Sequence, residues 1–177
     1  MAQRLPLHLI ILMIPLLACN YFYAVPDGSP AGTPTTTLPT VFVVTGEDFE
    51  AMVFNAEAQR LGDYTIFPNP TSYWTPSESD IQTLEAHIEA FLTNHTEGFY
   101  DHQPPVEAWL PAYARQYFGF ERDGVQYIYG NFFCARDLLL DYPNQLVMVE
   151  DGGDCFFQFH YNPATQEFSN LMVNGYA

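Results

Sequence analysis

The chain has 177 residues, with 21 acidic side chains against five basic ones, all arginine, for a formal charge of −16. That balance argues against a nucleic-acid-binding surface, which needs basic side chains to neutralise phosphate, and against docking on an anionic membrane through the protein surface. A hydrophobic content of 48% with 16% aromatics is enough for a packed core and argues against global disorder. The acidic excess keeps an exposed protein soluble; it also attracts cationic partners or divalent cations.

Residues 1–18 have the parts of a secretory signal. Arg4 supplies a positive start, and "LPLHLIILMIPLLA" is an apolar run too short to span a bilayer comfortably, interrupted by Pro6 and Pro15. Leu16-Leu17-Ala18-Cys19 resembles the lipobox of bacterial lipoproteins. The resemblance implies that the Cys19 sulfur takes a diacylglyceryl group and that cleavage exposes Cys19 as the new N-terminus. Each buried methylene contributes roughly 0.8 kcal/mol, so two or more chains anchor stably where one does not. The implied address is the bacterial cell envelope, on the extracytoplasmic side of a membrane. Residues 19–40 continue as "CNYFYAVPDGSPAGTPTTTLPT", rich in Pro, Thr and Gly. Such a segment has little to bury and favours extended conformations, as a tether does.

Residues 41–177 are of single-domain size. Glu47–Leu61 reads as a weak helix, with Phe49, Met52, Val53 and Ala56 inward and Gly62 as its stop. A stronger helix is expected over residues 76–94: Thr75 and Glu78 form a capping-box pattern around Pro76. Ile81, Leu84, Ile88, Phe91 and Leu92 share one face, and Gln82, Glu85 and Glu89 lie opposite.

Beyond Pro111 the period changes to that of strands. "AYARQYFGF" and "VQYIYGNFF" flank Asp123-Gly124, a hairpin signal; "QLVMVE" and "CFFQFHY" flank "DGGD"; and "NPATQ" precedes "EFSNLMV". Alternation puts Phe156, Gln158 and His160 on one face and Phe157, Phe159 and Tyr161 on the other. The expected fold is α+β: one or two helices on a curved, mainly antiparallel sheet of about five strands, by analogy a cystatin-like roll. Both sheet faces carry aromatics. The second is either a binding platform for a sugar, peptide or protein strand, or is covered by the Trp109 loop or the segment from Val41.

With Cys19 assigned to the anchor, Cys134 and Cys155 remain, and outside the cytoplasmic membrane such a pair is more often bridged than free. In a plain meander containing "QLVMVE", Cys134 would end strand two at one edge and Cys155 would begin strand four at the other, about 20 Å away for strands of about six residues, whereas a bridge needs Cα atoms within about 7 Å. Bridge and simple meander therefore compete, and residues 135–144 would have to carry the chain back across the sheet.

Candidate chemistry is sparse. His95, Glu97, Asp101 and His102 crowd the loop after the long helix, with His87 two turns earlier. The weak metal candidates are His95, Asp101 and His102, without the spacing of a known zinc motif. Glu150, Asp151 and Asp154 surround two glycines but lack the ligand order of a calcium loop. No GxSxG elbow is present, and a Cys–His pair with His160 would be lost on disulfide formation. Two carboxylates could still serve a hydrolase near the 95–110 loop. No cofactor is implied.

Arg115-Gln116-Tyr117-Phe118-Gly119, Asn131-Phe132-Phe133-Cys134, Asp151 to Phe157, Val173-Asn174-Gly175 and the Tyr73-Trp74-Thr75-Pro76 helix start resemble a group of uncharacterised bacterial lipoproteins. The resemblance covers residues 73–177. It implies an exported single domain with paired cysteines and brings no catalytic residues. The expectation is a lipid-anchored domain that binds or has a structural role rather than one that catalyses.

Overall fold

The structure is a computed structural model that describes residues 41–57, 70–102, 105–138 and 144–176. The expected leader, Cys19 and the 19–40 linker lie outside the described residues. The described residues form seven strands and one α-helix: β1 (Val41–Thr45), β2 (Glu50–Phe54), β3 (Ser72–Trp74), α1 (Glu78–Thr93), β4 (Ala114–Arg122), β5 (Val125–Phe133), β6 (Phe156–Asn162) and β7 (Glu167–Val173). Among the described residues no helix is long and apolar enough to cross a membrane.

The β4–β5 hairpin forms where the sequence signals it. Asp123 and Gly124 both take positive φ, 54° and 75°, the two-residue turn whose twist matches paired strands. From there the sheet runs antiparallel through β6 and β7. On the other side of β4 two strands share its edge. β2 pairs parallel with Arg115–Phe118, and β3 pairs antiparallel with Gly119–Glu121. β1 closes that side antiparallel to β2. The fold is α+β as expected, with seven strands instead of about five.

Three expectations are corrected. Residues 47–57 contain no helix but the β1–β2 turn and strand β2; residues 58–61 lie outside the described residues. The Phe49, Met52, Val53, Ala56 spacing fits a helix face, but Ala51 and Val53 enter the core as alternate residues of a strand paired on both edges. Tertiary pairing overrides a short ambiguous pattern. Secondly, α1 is capped by Ser77 and Asp80 instead of Thr75 and Glu78: Asp80 N–H donates to Ser77 Oγ at 3.2 Å, and Ser77 N–H donates to Asp80 Oδ2 at 2.8 Å. Thr75 Oγ1 is already taken by the Ala56 N–H at 2.9 Å.

Thirdly, "QLVMVE" is not a strand of the sheet. β5 and β6 are direct neighbours, with Phe133 opposite Phe156, so the next residues outward, Cys134 and Cys155, bridge with Cα atoms 5.0 Å apart. Meander and disulfide coexist because the intervening segment leaves the sheet.

Residues 145–151 of that segment lie on the second face, held by side chains instead of a ladder. Gln116, Asn131 and Gln158 are cross-strand neighbours on β4, β5 and β6. Val147 N–H donates to Gln116 Oε1 at 2.8 Å, Asn131 Nδ2 donates to Val147 O at 2.8 Å, and Gln116 Nε2 donates to Gln145 O at 2.9 Å. Gln158 Nε2 holds Asn174 Oδ1 at 2.9 Å, and Asn174 Nδ2 donates to the carbonyls of Val149 and Asp151 at 2.5 and 3.0 Å. A row of carboxamides thus supplies the partners that a neighbouring strand would.

The two faces divide as alternation predicts. Phe157, Phe159 and Tyr161 join Tyr117, Phe132 and the apolar stripe of α1 (Ile81, Leu84, Ile88, Leu92) in one core. Phe118, Phe120, Tyr129 and Phe54 form a smaller cluster on the other face, with Val41, Tyr73, Tyr127 and Leu146 against it. Trp109, expected as a possible cover for that face, packs on the helix side beside Phe99, Tyr113 and Phe157. Phe118, Phe120 and Tyr129 are at most 4% exposed, so they offer no open aromatic platform.

Candidate functional site

The groups that converge are not those the sequence singled out. A cleft of about 420 Å³ opens between α1, the β1–β2 turn and the two 3-10 turns at residues 106–112. α1 contributes Gln82, Glu85, Ala86 and Glu89 from its polar side. The β1–β2 turn gives Glu47, Asp48 and Phe49; the 3-10 turns give Glu107, Leu110 and Pro111; and β4 gives Arg115. Gly46 lets the turn close this tightly, because the Phe49 ring lies where a Cβ would stand.

Arg115 is 2% exposed. Strand alternation puts it on the core face with Tyr113 and Tyr117, where a charge needs a partner. Its Nη1 and Nη2 donate to the carbonyls of Tyr113 and Leu110 at 2.9 and 3.2 Å. Nε lies 2.9 Å from Glu85 Oε1, yet this N–H has no aligned acceptor, so the contact is an ion pair rather than a formed hydrogen bond. The guanidinium carbon also sits 5.6 Å from the Phe49 ring centroid and 5.2 Å from that of Phe132.

Glu85 accepts the Tyr117 hydroxyl at 2.6 Å. Burial raises its carboxyl above the usual range, against the opposing pull of Arg115 and Tyr117. Burial, with the Glu85 charge alongside, lifts the Tyr117 phenol well above its ordinary value. Among the described residues Arg115 is the only basic side chain lining the cleft, and its charge is spent on Glu85. The exposed rim carboxylates of Glu47, Asp48, Glu89 and Glu107 have no such partner among the lining residues.

The residues named from sequence lie elsewhere. His95 Nδ1 is 2.8 Å from Phe91 O and its ring packs on Phe91; His87 Nδ1 is 2.8 Å from Thr83 O. Asp101 and His102 do come together, around Asp154. Asp154 Oδ2 accepts their backbone N–H groups at 2.6 and 3.0 Å, its Oδ1 accepts the Tyr176 hydroxyl at 2.8 Å, and His102 Nδ1 lies 3.2 Å away. Burial opposes ionisation of Asp154, but these donors outweigh it and hold the carboxyl below its ordinary value. The knot ties the loop after α1 to the disulfide turn, and His95 stays outside it. Among the described residues no three His, Cys, Asp or Glu side chains are arranged to hold a metal. Cys134 and Cys155 are joined, so neither is a thiol nucleophile for His160.

Glu85, Arg115, Tyr117 and Phe49 were not singled out as a group from the sequence. One signal was available: an arginine in register with two inward tyrosines must find a carboxylate. No protein-family model, no curated protein and no solved structure matches this chain.

Proposed function

We propose that this chain is a lipid-anchored extracytoplasmic domain, attached to a bacterial envelope membrane through Cys19, that binds a ligand carrying a cationic group on an apolar stem. The observation that carries the binding half is the cleft: carboxylates of Glu47, Asp48, Glu89 and Glu107 ring an apolar lining of Phe49, Leu110 and Pro111, and Arg115 beside them is already neutralised. Exposed acidic groups around an apolar lining attract an ammonium or guanidinium and repel anions. A basic peptide fits both features. The anchor half is supported by the lipobox-like Leu16-Leu17-Ala18-Cys19 and by the resemblance to bacterial lipoproteins. The cystatin-like roll remains the architectural analogue, on the strength of one helix laid over an antiparallel meander.

A carboxylate hydrolase is the second reading, favoured by the raised carboxyl of Glu85. Binding is preferred because the Glu85 side chain is only 5% exposed and is committed to Arg115 and Tyr117.

Calorimetric titration with a short lysine- or arginine-bearing peptide, beside its norleucine analogue, tests the cleft. Binding of the basic peptide alone, weakened about tenfold in a Glu89→Gln/Glu107→Gln variant, is the expected result. Equal affinity for both peptides, or no effect of the variant, removes the reading. Intact mass of membrane-extracted protein tests the anchor: a chain beginning at Cys19 and carrying acyl groups is expected, and an unmodified N-terminus refutes it.

A further inference from the structure

Among the described residues two aromatic side chains are strongly exposed: Tyr100 at 73% and Tyr176 at 54%. Distant in sequence, they meet in space, with ring centroids 5.9 Å apart and planes at 68°. The pair is held in place. Tyr176 shares its hydroxyl between Asp101 Oδ2 at 3.0 Å and Asp154 Oδ1 at 2.8 Å, and its ring lies against Gly153, where any Cβ would collide with it. Gly153 N–H donates to Gly175 O at 3.0 Å, and the Tyr100 loop is pinned through the Asp101 and His102 N–H groups. Rings fixed in this way cost little conformational entropy to use in binding.

The charge beside them selects the occupant. Asp101 is exposed next to the pair and Glu97 lies in the same loop. The turn carrying the exposed Glu150 and Asp151 is tied to the Tyr176 tail by Asn174. A tyrosine face attracts a cation through its quadrupole, and neighbouring carboxylates reinforce the attraction. An acidic partner, including a second copy of a chain with charge −16, is repelled.

We propose that Tyr100 and Tyr176 form a docking platform for an arginine or lysine side chain of a partner polypeptide, the ring faces taking the cation and Asp101 balancing its charge. The platform is a different surface from the cleft and does not depend on the reading of it.

The test is fluorescence anisotropy of a labelled nine-residue arginine peptide with the full-length protein in about 0.15 M salt, where diffuse attraction is screened. A Glu89→Gln/Glu107→Gln background weakens the cleft's own contribution, which is the same in every protein compared. Tyr100→Phe, which keeps the ring, is expected to bind within about twofold of that background, and Tyr100→Leu to bind about three- to fivefold more weakly. Tyr100 is mostly in water, so both variants are expected to fold, as circular dichroism would show. Equal affinity across the Phe and Leu variants overturns the proposal, since the binding is then general charge attraction. Absence of binding overturns it as well. So does binding of a neutral hexasaccharide in place of the peptide, which assigns the platform to glycans.

Discussion

Asn131 Nδ2 donates to Gln116 Oε1 at 3.1 Å across the β4–β5 pair, and both side chains also grip one residue of another segment, Val147. Gln116 accepts the Val147 N–H and Asn131 donates to the Val147 carbonyl, the two bonds that a hydrogen-bonded strand neighbour would make. The segment from Gln145 to Asp151 therefore lies on the sheet face with both backbone groups of Val147 and the carbonyls of Gln145, Val149 and Asp151 paired to side chains, although it joins no ladder. Buried amides of this kind specify one docking position, because any shift leaves them unpaired.

Replacing Asn131 by Leu keeps the volume but strands the Val147 carbonyl and one acceptor site of Gln116. The expected cost is about 1–3 kcal/mol, with faster backbone hydrogen exchange across residues 144–151. Exchange measured by mass spectrometry checks this. A strap that exchanges at the wild-type rate in the variant shows that Leu146 and Val147 hold it by apolar contact alone.

What could be read from the sequence was what is local. The Asp123-Gly124 hairpin, the apolar stripe of α1 and the alternation in β6 each carry their signal within a few residues, and each forms. β2 was missed because Phe49, Met52, Val53 and Ala56, in and around it, fit a helix face equally well and its partners on β4 lie some sixty positions away. "QLVMVE" has the composition of a strand, but the partners of its backbone groups are side chains, which no backbone pattern announces. The cleft was missed for a related reason. Glu85 reads as one of several polar helix residues until Arg115, thirty positions on, is known to face it.

That pair makes the second prediction. Arg115→Met leaves Glu85 buried without its counter-charge and two carbonyls without donors, and is expected to cost about 3–5 kcal/mol. The double change Glu85→Leu/Arg115→Met removes both charges and should cost less than the two single changes combined. Urea unfolding of the four proteins closes the cycle. Strict additivity would mean that the ion pair contributes no coupling.

The disulfide gives a third prediction. Cys134 and Cys155 are 21 positions apart, and closing a loop of that size stabilises by about 3 kcal/mol in the chain-entropy account. A Cys134→Ser/Cys155→Ser protein should unfold at correspondingly lower urea, while the Cys134 N–H to Cys155 O bond at 3.0 Å keeps β5 and β6 aligned. Alkylation should reach the two sulfurs only after reduction. Labelling of the untreated protein contradicts the bridge.

His160 gives the last. It is 4% exposed, packed among Phe120, Tyr127 and Tyr129, and its Nδ1 lies 2.8 Å from Asn170 Nδ2, a donor that requires the ring nitrogen to be unprotonated. Asn170 reaches it from a positive φ of 52°, beside the irregularity in the β6–β7 pairing. Burial, reinforced by the charge of Arg122, lowers the imidazole from 6.5 to about 4. Below pH 6.5 the unfolded chain takes up a proton that the folded one refuses, so stability falls as pH drops and levels off near pH 4. Over that window the single group removes roughly 3 kcal/mol. A His160→Phe protein keeps the aromatic contacts and lacks the titration, while its carboxylates titrate as in the wild type. Urea stability measured from pH 7 to pH 4 should therefore fall less steeply in the variant, by about that amount. Parallel curves would mean that His160 is protonated in the folded state, and that Asn170 does not donate to it.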